Sequence, residues 1–81
     1  MSVLRKVYVK VNADFDSAGN IIPRVITWED GRRYSVDRVT ECRPAASLKV
    51  GGHGLRYRCR IGRMESYLFY EEGKWFVEAK Q

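Results

Sequence analysis

The sequence predicts an all-β domain, closed as a small barrel or a strongly curled antiparallel sheet of about six strands. Three observations predict it. Runs rich in valine, isoleucine, tyrosine, phenylalanine and tryptophan alternate apolar and polar residues with the two-residue period of a strand. All seven glycines fall between such runs, where a turn is wanted. No window of eleven residues carries apolar positions at helical spacing as well as it carries that alternation.

The first strand runs from Val3 to Phe15, with Val7, Val9, Val11, Ala13 and Phe15 on the core side and Lys6, Lys10, Asn12 and Asp14 on the wet side. Residues 16 to 20 then close a hairpin in which Gly19 or Asn20 takes the positive φ that such loops need. The second strand spans about Ile21 to Glu29. Pro23 lacks an amide donor, which puts that end of the strand at a sheet edge or a bulge. Asp30-Gly31 is a strong hairpin signal. It leaves two registers open, with Trp28 facing the core in one and solvent in the other.

The third strand, Arg32 to Arg43, breaks parity between Val36 and Val39, as a β-bulge near Asp37-Arg38 would make it do. One long connection follows, residues 44 to 54, with room for a single helical turn over Ala45 to Val50 and a glycine-rich end around His53. The fourth strand alternates Leu55, Tyr57, Cys59 and Ile61 against Arg56, Arg58 and Arg60. Gly62-Arg63, with glycine first, suits a two-residue type II′ turn, and Glu72-Gly73 suits another tight turn before the last strand, Lys74 to Lys80.

Eighty-one residues make one domain, 1–81, because a chain this short has no second core to bury. No uncharged stretch, Pro44 to Leu48 included, exceeds seven residues, far short of a membrane span. The N-terminal residues lack the pattern of a signal peptide, which sets the expectation of a cytoplasmic monomer. Two cysteines, Cys42 and Cys59, are expected as reduced thiols, since small secreted domains that depend on disulfides carry more.

The formal charge of +5 is unevenly spread: +1 over residues 1 to 23, +6 over 24 to 63 and −2 over 64 to 81. Of the ten basic residues in the middle segment, only Lys49 is not an arginine. Arginine at that density favours planar, forked recognition of anions.

The Gly62-Arg63 turn pairs Arg60 with Glu65, Arg58 with Tyr67 and Arg56 with Phe69. The Glu72-Gly73 turn then pairs Phe69 with Phe76 and Tyr67 with Glu78. One face therefore carries Arg56, Arg58, Arg60, Tyr67, Phe69 and Phe76, and these are the candidate binding residues. Guanidinium groups beside flat rings are what readers of single-stranded nucleic acid use, for phosphates and bases respectively. The alternative partner is an acidic peptide or a larger subunit, held on the same face or at a strand edge. The bland reading is ordinary cation–π cover of rings lying beneath the 44–54 loop or the first strand.

Catalytic and metal chemistry find no support, and neither a cofactor nor a metal is expected. The loop around His53 has no lysine followed by serine or threonine after its glycines, so it does not match a phosphate-binding loop. Cys42, His53 and Cys59 lack the close paired spacing of a zinc site and a fourth ligand. Asp14 and Asp16 sit at a hairpin tip, which cannot bury a carboxylate pair as general acid–base work requires.

The segments Trp28 to Val39, Gly54 to Arg60 and Tyr67 to Val77 together resemble short bacterial proteins of unknown function, over about residues 7 to 79. The resemblance implies an intracellular bacterial setting and a single β domain, and brings no activity, cofactor or site residue with it.

Overall fold

The computed structural model describes residues 4–44 and 54–80, and every regular element among them is a strand. In chain order they are β1 (Leu4–Tyr8), β2 (Lys10–Phe15), β3 (Ile21–Thr27), β4 (Arg33–Ser35), β5 (Arg38–Pro44), β6 (Gly54–Ile61), β7 (Met64–Glu71) and β8 (Lys74–Lys80). They form two antiparallel sheets, one in the order β1-β8-β7-β6-β5 and the other β2-β3-β4. The all-β reading stands. The expected small barrel or single curled sheet of about six strands gives way to eight strands in two antiparallel sheets, with no closed barrel among the described residues.

Two corners account for the difference, because each splits one of the expected long strands. The first strand breaks at Val9, whose amide still donates to the Trp75 carbonyl at 3.1 Å before β2 turns away to pair with β3. The third breaks at Val36 and Asp37. Their consecutive amides donate to Arg24 of the small sheet and Arg60 of the large one, each at 2.8 Å. A backbone that bonds to two sheets through neighbouring residues cannot continue as one straight ladder.

The core lies between the sheets. Ile26, Val36, Tyr57, Cys59 and Leu68 form its buried cluster, with Val11, Val39, Leu55, Tyr70, Trp75 and Val77 packed against them. The Tyr57 hydroxyl donates to the Ile21 carbonyl at 2.8 Å, a direct bond from the large sheet to the small one. Its buried donor is thereby satisfied.

The turns set the registers. The 16–20 loop closes with Asp16 and Asn20 bonded across it, Gly19 taking the left-handed φ of 85°. The Asp16 carboxylate accepts the amides of Ala18 and Asn20, and the Asn20 side chain donates to it as well. Those donors hold its pKa below the ordinary carboxylate value, the Asn20 side chain contributing most.

Around Asp30-Gly31 the loop is not a two-residue turn. The Trp28 amide bonds the Arg32 carbonyl at 2.7 Å and the Gly31 amide bonds the Trp28 carbonyl at 2.9 Å, so three residues lie between the closing pair. This settles Trp28 as half-buried.

Two local expectations change. Phe15, expected in the core, is 73% exposed, because its place at the hairpin tip puts it beyond the packed part of its face. The bulge expected near Asp37-Arg38 falls between Val39 and Glu41, with Thr40 as the extra residue. Pro23 sits in the central strand of the small sheet and meets Ala13 beside the extra residue of β3, Arg24, which is the bulge alternative of the expectation. The helical turn over Ala45 to Val50, His53 and any cover from that loop lie outside the described residues.

Candidate nucleic-acid interface

The two-residue turns deliver the predicted pairs. Gly62, at a φ of 61°, opens the β6–β7 turn, and its amide donates to the Asp37 carboxylate at 2.7 Å. From there β6 and β7 pair without a break: Arg60 with Glu65, Arg58 with Tyr67 and Arg56 with Phe69. At the next turn Glu72 and Gly73 both have positive φ, as a type I′ turn requires, and Phe69 pairs with Phe76. The expected partnership of Tyr67 with Glu78 is absent, because the pairing of β7 with β8 stops at Phe69 and Phe76.

Five of the six predicted residues share an accessible surface. Tyr67 is 46% exposed, and the Arg56 guanidinium lies 4.9 Å from its ring centroid. Arg58 is engaged with Glu65 through Nε at 2.6 Å and Nη2 at 2.5 Å, contacts that raise its already high pKa. Arg60 is exposed and Phe69 half-buried.

Phe76 is the correction: at 4% exposure it is no contact residue. It stacks on Phe69 with centroids 5.1 Å apart and rings within 7° of parallel, Tyr8 meets it edge-on, and the Lys6 ammonium caps it at 4.6 Å. The outer face is thus divided, with a covered aromatic cluster toward β1 and β8 and an arginine field toward β5.

That field is larger than the alternation of one strand predicted. β5 pairs Arg38 with Arg60, Glu41 with Arg58 and Arg43 with Arg56, so five arginines share the two strands. Arg43 is engaged by Glu41. Arg38, Arg56 and Arg60 have no carboxylate partner among the described residues. Like charges directly opposite one another in an antiparallel pair oppose folding. Here the arrangement occurs twice, at Arg38/Arg60 and at Arg43/Arg56. Only the position of the bulge could have revealed Arg38 and Arg43, because it sets the phase of β5 against β6.

Both cysteines are free, Cys42 exposed and Cys59 buried. Burial pushes the Cys59 thiol from its ordinary 9.0 up to about 11, and pushes the Tyr57 phenol from 10.0 up to about 12, with neighbouring Cys42 adding to both. In the folded protein each group stays protonated where the unfolded chain ionises. Their contribution is therefore complete below pH 9 and is lost as the pH rises toward 11 and 12. The urea midpoint is expected to fall between about pH 8 and pH 10.5, by a stability change on the order of 1 kcal/mol from Cys59. The Cys59→Ser variant should flatten the pH 9 to 11 part of that decline.

No helix among the described residues is long and apolar enough to cross a membrane. No family model, curated protein or solved structure matches the chain, so the meaning of this face rests on its own geometry.

Proposed function

We propose that this protein is a non-enzymatic binding module whose β5–β6 arginine field, edged by Tyr67 and Phe69, takes single-stranded or structured nucleic acid. The observation that carries the reading is the pair of arginine–arginine oppositions. They cost folding free energy in the free protein and are relieved when phosphates lie between the strands' guanidinium groups. Arg56, Arg58 and Arg60 follow one strand, and successive residues on one face of a strand are about 7 Å apart, close to the spacing of phosphates along a single strand. Tyr67 supplies the ring on which a base stacks, a contact open to any base.

The test is titration of a labelled mixed-sequence oligonucleotide at two salt concentrations. With three arginines that lack carboxylate partners each displacing a counterion, the salt slope is about −2, so affinity falls roughly 20-fold between 50 and 200 mM salt. Tyr67→Ala weakens binding with the slope unchanged, whereas Arg60→Ala lowers the slope itself. An acidic protein surface would meet the same arginines and show a salt dependence, but would be indifferent to the loss of the Tyr67 ring. Absence of oligonucleotide binding at 50 mM salt refutes the proposal.

A further inference from the structure

The large sheet is not paired throughout. β6 and β7 match along their whole length and β1 and β8 do likewise, yet β7 and β8 share only the three pairs nearest their turn. Beyond Phe69 and Phe76, β8 stays with β1 and a seam opens. In an antiparallel ladder, alternate residues send both backbone groups to the same neighbour. Ile61 opposite Met64 closes one turn and Glu71 opposite Lys74 the other. Even-numbered residues of β7 therefore bond to β6, while the amides and carbonyls of Glu65 and Tyr67 point into the seam. The backbone of Glu78 points into it from β8. Among the described residues the pairing of β7 with β8 reaches none of these seam-facing groups.

Beneath the seam is a cavity of about 630 Å³, floored by Ile26, Trp28, Leu68 and Val77. Its only charged lining residues are Glu65 and Glu78, although the chain as a whole is basic. Arg58 occupies Glu65. Lys6, directly across from Glu78, has its ammonium over the Phe76 ring, which leaves Glu78 without a cation partner among the described residues.

We infer that this seam is a second binding site, one that takes an extended peptide segment with alternating apolar and basic side chains. The segment adds as a strand to the open edge of β7, bonding to the backbones of Glu65 and Tyr67. Its apolar side chains enter the cavity over Leu68 and Val77, and its basic side chains face outward toward Glu78. The choice of a peptide over a small apolar molecule rests on the main-chain groups, which need donors and acceptors at strand spacing. The choice of basic over acidic rests on Glu78, the rim carboxylate that has no cation partner among the described residues. The site shares Tyr67 with the arginine field but uses its backbone where the field uses its ring, so a peptide probe and an oligonucleotide probe can fail independently.

The probe is an acetylated, amidated hexapeptide alternating valine and lysine, titrated into isotopically labelled full-length protein and followed by amide shifts and hydrogen exchange. The expected result is shifts at Glu65, Tyr67 and Glu78 with slowed exchange at the first two. N-methylation of the peptide amides that face β7 should weaken binding about tenfold, as lost main-chain hydrogen bonds require. Glu78→Lys, at an exposed position, should weaken it roughly fivefold without altering the fold. Binding that ignores N-methylation would make the seam a pocket for apolar molecules and overturn the strand. No shifts at the seam, shifts confined to β5 and β6, or equal binding of an alternating valine and glutamate peptide would overturn it too.

Discussion

Replacing Leu68 by alanine should cost about 3 kcal/mol, read as a lower urea midpoint at unchanged slope. Leu68 is 1% exposed and stands in the buried cluster that joins the two sheets. Loss of its three terminal carbons removes the transfer free energy and leaves a hole. Collapse into that hole is resisted on one side, because β7 is bonded to β6 through every pair from Ile61/Met64 to Gly54/Glu71. On the other side the seam cavity already adjoins Leu68, so fewer neighbours can move in. A domain of this size is stable by only about 4 to 12 kcal/mol, which makes this single change a quarter of the total or more. Phe15→Ala is the control. It removes a larger apolar side chain from a strand with equally clean alternation, yet at 73% exposure it should alter stability by no more than about 0.5 kcal/mol.

The contrast between Leu68 and Phe15 also shows where the sequence was legible. Registers could be read wherever two residues formed the turn, because glycine at a fixed place dictates the pairing. Gly62-Arg63 and Glu72-Gly73 thus placed Arg56, Arg58, Arg60, Tyr67 and Phe69 on their correct face. Trp28 was ambiguous because Asp-Gly serves loops of two or three residues, and the choice is made by the Trp28–Arg32 closure rather than by the dipeptide.

The rest depended on contacts far apart in the chain. Phase across the 44–54 connection was undetermined, so Arg38 and Arg43 could not be assigned to the arginine face. Phe76 was buried by Tyr8 and Lys6, which come from the opposite end of the chain. The seam was hidden for the same reason: local pattern carries the β7–β8 hairpin on to Tyr67 and Glu78, whereas β8 remains paired with β1 instead.

Arg38→Glu should move stability and binding in opposite directions, which is the outcome that separates a functional arginine field from a decorated surface. β5 is the edge of the large sheet, and Arg38 is exposed there directly opposite Arg60. The substitution turns a repulsive cross-strand pair into an attractive one, worth about 0.2 to 1 kcal/mol, so the urea midpoint should rise. For a polyanion the same change removes one cation and adds one anion, lowering the effective number of phosphates neutralised by about two. The salt slope for a single-stranded oligonucleotide then falls by about 1.4, and extrapolation from 1 M to 50 mM salt gives a loss of roughly 60-fold in affinity. Equal stability gain with unchanged oligonucleotide affinity would assign the arginines to the solvated surface alone. A fall in stability would mean that Arg38 holds the corner at Asp37, where the chain passes from the small sheet to the large one, and that its conjunction with Arg60 is structural.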